Sequence, residues 1–375
     1  MKLESLKNKK IGIIGATGFV GGRLFELLKE QNINSKVFIR NFSRSANLSK
    51  YHFDDYFGNM SSKDSIDSFI KSIDICFNCA HDFVENQGNM VKMIENLGLS
   101  CAENNTKLIH LSSVAVHEPM KEEMINETSD KCDENNYYGF TKILIENKLL
   151  ELKKNLNLDL IIFRPTNIYG PFSGAWTINP CNKLINGKLV LTNESKKSTI
   201  NLIYVDDVCN YMFKAAISNS SSKDPIYLIN GPDEDISWSH FYEKYNSILQ
   251  LKSIVYDDEI NIVRNNKNII KFLVNGIKNI ALFQDNFFTK KIIQYLKRLP
   301  NGIKSKLKIY QKNLSSKLGE LIYLPNAKEI TDYKSTSLVS SKKAMADFNY
   351  SSQIDFNEGM KKNEKFIKWY FKSYF

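Results

Sequence analysis

No apolar run in this 375-residue chain approaches the roughly 20 residues that a membrane-crossing helix needs. Residues 1–10 also lack the apolar centre of a secretion signal, being polar and lysine-rich, and a strand-like run begins directly behind them. The six cysteines (Cys76, Cys79, Cys101, Cys132, Cys181 and Cys209) do not have the spacing of a disulfide framework. Cys76 and Cys79 form a C-x-x-C, but they fall in the apolar run 73–79, where strand alternation points the two thiols to opposite faces. That argues against a metal or redox pair. Reduced cysteines, a cytoplasmic location and no metal are the expectation. Internal repeats are absent. A general excess of basic charge is missing too: of the net +10, nine positive charges sit between positions 286 and 318 with no acid among them, leaving about +1 for the rest. Nucleic-acid binding is therefore not indicated.

What is present is regular alternation. Runs 11–15, 36–40, 72–79, 107–113 and 158–163 are continuously apolar or β-branched, and helical spacing fills 24–28, 90–97 and 143–152 between them. Strands apolar on both faces, separated by helices, imply a parallel sheet covered on both sides. Beyond about 165 the pattern loosens: 188–191, 199–205 and 225–230 read as strands, and 206–218 and 237–250 as helices.

Gly15-Ala16-Thr17-Gly18-Phe19-Val20-Gly21 follows the first strand and opens a helix. Three glycines there allow a tight turn, close approach of backbone to a pyrophosphate, and close packing of helix on strand. The helix N-terminus then offers N–H groups and its positive dipole end to the phosphates. A dinucleotide site is the reading. At the end of the second strand, where NAD sites place a carboxylate for the ribose 2′-OH, this chain has Arg40 and Asn41, with Arg44 a turn later. Guanidinium suits a 2′-phosphate, which favours NADP(H) with NAD(H) as the alternative.

Tyr138 and Lys142 are four residues apart at the start of a helical run, so phenol and ammonium share one face. A free phenol titrates near 10 and is a poor base at neutral pH, whereas a neighbouring ammonium favours its ionised form. A downward shift of two to three units, about 3–4 kcal/mol, is expected from that ammonium helped by the positive nicotinamide ring of the cofactor. Ser112 and Ser113 end the preceding strand, at the sheet edge where such folds bind ligands, and can polarise a carbonyl.

Together with Asn78-Cys79-Ala80, Ser112-Ser113-Val114-Ala115-Val116, Arg164-Pro165-Thr166-Asn167-Ile168-Tyr169-Gly170-Pro171 and Tyr204-Val205-Asp206-Asp207-Val208, these motifs resemble the extended short-chain dehydrogenase/reductase family, the NAD-dependent epimerases and dehydratases, over most of 10–235. The resemblance implies an enzyme of α/β class: a Rossmann-type doubly wound parallel sheet with a smaller C-terminal substrate-binding lobe. On it, residues 1–170 are the NAD(P)-binding domain and 171–375 the substrate lobe, interleaved with the first and carrying a helical insertion at about 260–322. Tyr138 would be the proton donor and acceptor, and Lys142 the group that holds the nicotinamide ribose and tunes it. Ser113 would polarise the substrate. The implied cofactor set is Gly15, Thr17, Gly18, Phe19, Val20, Gly21, Arg40, Asn41, Arg44, Asn59, Met60, Cys79, Ala80, Tyr138, Lys142, Pro165 and Thr166. His81, Ser113 and Asn167 would face the substrate.

Three departures narrow the chemistry that the resemblance implies. Where the dehydratase branch carries an Asp-Glu pair after the catalytic hydroxyl, this chain has Val114 and Ala115, which disfavours dehydration. Where many nucleotide-sugar epimerases hold the substrate diphosphate with an arginine, this chain has Ile200, with Lys196 and Lys197 as the nearest cations. Where the family has Val-Tyr-Gly, this chain has Val116-His117-Glu118, and His117 is either an auxiliary acid or base or, more commonly for a lone histidine, structural.

Residues 270–314 carry three apolar stripes at helical spacing, flanked by lysines and interrupted at Pro300. They fit a cap on the substrate lobe, a homodimer contact, or peripheral attachment to an anionic inner membrane surface. The leading functional reading is an NAD(P)-dependent sugar epimerase or keto-reductase, acting on a sugar or sugar-nucleotide in surface-polysaccharide synthesis. A reductase of a non-nucleotide or lipid-linked carbonyl and a non-catalytic NADP-sensing protein are the alternatives.

Overall fold

The computed structural model describes residues 3–45, 48–82, 85–218, 223–232, 235–256 and 321–374. Of the basic helical insertion expected at about 260–322, all but positions 321 and 322 lies outside the described residues. Among the described residues, no helix is long and apolar enough to cross a membrane.

From the N-terminus the chain forms β1 (Ile11–Ile14), α1 (Phe19–Glu30), β2 (Ser35–Ile39), β3 (Asp54–Phe57), α2 (Lys63–Ile70), β4 (Ile75–Asn78), α3 (Gln87–Glu103) and β5 (Lys107–Leu111). After β6 (Met124–Ile125) come α4 (Tyr137–Leu156), β7 (Leu160–Pro165), β8 (Asn167–Tyr169), α5 (Asn179–Asn186) and β9 (Gly187–Leu191). Then follow β10 (Leu202–Tyr204), α6 (Val205–Ile217), β11 (Ile226–Ile229), α7 (Trp238–Ile248), β12 (Ile254–Tyr256) and β13 (Leu321–Tyr323). The last elements are α8 (Ala327–Asp332), β14 (Leu338–Val339), α9 (Lys342–Phe348) and α10 (Phe356–Tyr370).

Seven strands form one parallel sheet in the order β11-β7-β5-β4-β1-β2-β3. Because the order reverses at β1, the crevice between the carboxyl ends of β1 and β4 is where a doubly wound sheet takes its ligand. One face is closed by α2, α3 and α4, whose Ile66, Phe69, Ile94, Leu97, Ile145 and Leu149 share a core with sheet residues such as Cys76, Leu108 and Ile162. On α1, Arg23 clasps Asp206 of α6 through two bonds, Nε–Oδ1 at 2.7 Å and Nη2–Oδ2 at 3.1 Å.

The chain divides into two compact units. The first comprises Met1–Gly170, Asn201–Asp235 and Thr336–Lys361, and the second Pro171–Ile200, Ile236–Ser335 and Lys362–Phe375. Within the 171–375 region, expected to be a lobe interleaved with the first domain, Asn201–Asp235 and Thr336–Lys361 belong to the first unit. The reason is in the pairing: β11 adds the seventh strand beside β7, and buried Asp207 on α6 accepts hydrogen bonds from Tyr350 Oη (2.5 Å) and from the Gln353 and Ile354 amides (both 3.0 Å).

In the second unit β9 is flanked by β12 and β13, all parallel. Tyr245 of α7 is fully buried and donates to the Trp176 carbonyl at 2.5 Å. Ile200 is also buried here, and Lys196 lies over the Tyr256 ring, 3.9 Å from its centroid. The place where a diphosphate-binding arginine was sought is therefore apolar core; of the two lysines before it, Lys196 is stacked on an aromatic ring and Lys197 is exposed.

Candidate active site

Gly15 follows β1 at φ +90°, a backbone state that side chains rarely adopt. A Cβ there would also stand 2.7 Å from the Ala80 amide nitrogen, and one on Gly21 would stand 2.4 Å from the Gly15 carbonyl oxygen. These two glycines let the loop press between the β4 end and α1. Gly18 precedes α1 with no side chain capping the helix, so the first-turn N–H groups are left for an anion. Beside this loop lies a cavity of about 230 Å³, lined by Gly15, Thr17, Gly18, Arg40, Asn59, Met60, Cys79, Ala80 and His81 among others. Eight of the cofactor residues expected from the sequence therefore share one cavity with His81.

The others divide. Phe19, Val20 and Gly21 form the first turn of α1 behind the loop. Asn41 turns back on its own chain, its Oδ1 accepting from the Ser43 amide at 2.9 Å and hydroxyl at 2.8 Å. The side chain of Arg44 lies outside the described residues. Pro165 ends β7, and the buried Thr166 hydroxyl donates to Asn230 Oδ1 at 2.8 Å. Asn167 is half-buried and starts β8, its amide bonded to the Asn201 carbonyl at 3.1 Å.

Ser113, Tyr138 and Lys142 come together in the first unit. Ser113 follows β5, its Oγ accepting from the Ala115 amide at 3.1 Å, and it lies near enough to the Tyr138 phenol to favour its ionised form. Asn136 caps α4 by accepting from the Gly139 amide at 3.0 Å while its Nδ2 donates to the Ala115 carbonyl at 3.1 Å. This fixes the first turn of α4 against the serine segment. Gly139 makes the approach close enough: a Cβ there would lie 2.2 Å from the Ala115 carbonyl oxygen. Gly139→Ala is therefore expected to push Tyr138 away from Ser113 and lower turnover at least about tenfold, a cost in keeping with the misplacement of a reacting group. Unchanged kinetics in that variant would show that the close docking is not required.

Lys142 is buried, its Nζ 3.2 Å from the Leu111 carbonyl and 5.7 Å from the Tyr138 ring centroid. Burial lowers its pKa to about 8, with Glu146 opposing the shift. Burial also raises the Tyr138 phenol to about 12, with Ser113 opposing the shift. The chain's own groups therefore raise the phenol, and the lowering expected with a positive nicotinamide ring beside it is not supplied by Lys142 alone. The ammonium bonds a backbone carbonyl, and the cost of placing a phenolate in an apolar site is the larger effect. His81 meets Tyr138 edge-on, ring centroids 5.0 Å apart, and burial with Lys142 nearby holds it down at about 3. At neutral pH His81 is an uncharged wall of the cavity.

Beneath the triad is a network that the sequence reading did not foresee. Arg164 of β7 and Glu146 of α4 are fully buried and joined in a fork, Nη2–Oε2 at 2.6 Å and Nε–Oε1 at 3.0 Å. Ser112 donates to the same carboxylate at 2.5 Å. His117 Nε2 accepts from Arg164 at 2.9 Å, so its Nδ1–H donates to the Asp130 carbonyl at 2.9 Å. With both ring nitrogens committed, His117 is structural, and the auxiliary acid–base alternative is removed. A signal was available: Glu146 continues the Tyr138, Lys142 series at i+4 on the buried face of α4, opposite an arginine in an otherwise apolar strand.

Residues 11–229 match the model of the NAD dependent epimerase/dehydratase family. A dTDP-D-glucose 4,6-dehydratase from Dictyostelium discoideum is 27% identical over 237 residues, covering 55% of each protein, so the chain spans about half the length of that curated relative. Among solved structures, the UDP-glucose 4-epimerase of Thermotoga maritima superposes with a TM-score of 0.67 at 14% identity, covering 96% of this chain and 99% of that one. The UDP-glucuronic acid 4-epimerase of Bacillus cereus, in complex with NAD, gives 0.67 at 15% identity and 97% of both chains. At these identities the structures speak for the fold. The family model matches the span that holds the glycine loop, the serine segment and the Tyr138–Lys142 helix, and the chain belongs to the NAD dependent epimerase/dehydratase family.

Proposed function

We propose that the protein is an NAD(P)-dependent sugar epimerase or keto-reductase, with a nucleotide-linked sugar of surface-polysaccharide synthesis as its substrate class and the cytoplasm as its location. The observation that carries this reading is the meeting of Ser113, Tyr138 and Lys142 beside the glycine-loop cavity. The loop fits a dinucleotide because side chains at Gly15 or Gly21 would fill the cradle, and the α1 N-terminus offers its N–H groups to phosphate. Bound there, the nicotinamide supplies a hydride acceptor or donor.

The residues then divide the work. Ser113 hydrogen-bonds the substrate oxygen. Tyr138, protonated at neutral pH because its pKa is raised, gives its proton to that oxygen as a carbonyl is reduced, and takes it back in the oxidative direction. Lys142 holds the ribose hydroxyls. Arg40, with no carboxylate at the end of β2, supports a preference for NADP(H). Val114 and Ala115 are buried and apolar, so the two positions after Ser113 carry no acid or base for removal of water. The reading therefore departs from the activity named for the Dictyostelium relative.

A turnover screen with NADPH and NADH against nucleotide-linked sugars and keto-sugars tests it. An epimerase should turn over without net consumption of cofactor, and a reductase should consume it stoichiometrically. Failure of the entire panel, with dinucleotide bound, would instead favour the cofactor-sensing alternative.

A further inference from the structure

We propose that Asp82 is a specificity-determining residue, which with Arg40 forms a paired reader of the ribose 2′ position. The proposal rests on the dinucleotide reading above. Arg40 directly follows β2, and Asp82 lies four residues past the end of β4. Those strands flank β1 on opposite sides, so the two side chains reach across the glycine loop from its two margins. Arg40 Nη1 donates to Asp82 Oδ2 at 2.5 Å, and both residues line the same cavity as Gly15, Thr17 and Gly18.

The second strand ends without the carboxylate that usually bonds a ribose 2′-OH. Asp82 brings one to the neighbouring space from 42 residues further along the chain. A guanidinium has five N–H donors, so the bond to Asp82 leaves Arg40 able to meet a 2′-phosphate as well. A phosphate monoester carries nearly two negative charges at neutral pH, so Asp82 both repels it and competes with it for Arg40. A hydroxyl suffers neither effect and can donate to the carboxylate. Asp82 thus restrains the NADP(H) preference that Arg40 alone would give, and the pair lets one site use both dinucleotides. The Arg40 side chain is 55% exposed and that of Asp82 18%; a pair with one partner open to water contributes little to folding and Asn keeps the shape of Asp, so Asp82→Asn should alter recognition and leave the fold intact.

The test is calorimetric binding of adenosine 2′,5′-bisphosphate and adenosine 5′-diphosphate to the full chain, its Asp82→Asn variant and its Arg40→Gln variant. Asp82→Asn should tighten the bisphosphate about tenfold and change the diphosphate less than about twofold, since only the 2′-phosphate gains from loss of the like charge. Arg40→Gln should weaken the bisphosphate by about tenfold or more, as loss of a charge-assisted contact does. A bisphosphate-to-diphosphate affinity ratio unchanged in Asp82→Asn, with both probes still bound, overturns the proposal alone. If neither probe binds any of the three proteins, the dinucleotide reading falls and the proposal falls with it.

Discussion

Tyr138→Phe is expected to lower turnover by about two to four orders of magnitude, the range contributed by a positioned general acid or base. Dinucleotide affinity should stay near that of the parent, because the substitution removes only the hydroxyl at the edge of the serine segment. Steady-state kinetics and dinucleotide titration together check this, and full activity in the variant would leave Tyr138 without a proton-transfer role. The pH profile carries a second signature. Lys142, lowered to about 8 by burial, loses its charge as pH rises through that value, so activity that needs the ammonium falls on the alkaline side above about pH 8. Tyr138, raised to about 12, keeps its proton across that range and cannot cause the fall. Lys142→Arg, always charged, should lack this alkaline limb whatever its absolute rate.

The largest expected effect on folding is at Glu146 and Arg164. Removing either partner leaves the other charge buried without compensation, at a cost of about 3–5 kcal/mol. Glu146→Ala also strands Ser112, and Arg164→Ala also strands His117 Nε2. Replacing both by apolar residues of similar volume should recover most of the loss, since the pair's attraction is largely spent on its own desolvation. Urea unfolding of the two single variants and the double variant forms a mutant cycle, and additive losses would show that the fork is not a unit. The network also reaches the chemistry. Glu146 is the carboxylate that most supports the Lys142 ammonium, so Glu146→Gln should move the alkaline limb to lower pH in whatever fraction remains folded.

The parallel sheet, the glycine loop and the Tyr138–Lys142 helix were legible because each is written locally, in an apolar run, a glycine trio or an i,i+4 pair. Elements with weak local signals were harder to see. The edge strand β3 reads Asp-Asp-Tyr-Phe with little burial, so it shows no apolar pattern, and its neighbour α2 is only eight residues long. Features that depend on distant partners were not legible. Asp82 meets Arg40 from 42 positions away, and Arg164 closes on Glu146 and His117 through three separate elements. The surroundings of Tyr138 were not legible for a related reason: spacing places Lys142 nearby, but only the fold shows that its Nζ is bonded to Leu111 and that burial among the chain's own groups raises the phenol.

The most direct measurement is the appearance of reduced-nicotinamide fluorescence when the protein, loaded with oxidised NAD(P), is mixed with members of a nucleotide-sugar panel. The account predicts a signal with at least one sugar, transient for an epimerase and lasting for a dehydrogenase reaction, slowed by orders of magnitude in Tyr138→Phe. A product formed with no reduced nicotinamide at any time, or a signal of equal rate in Tyr138→Phe, would contradict it.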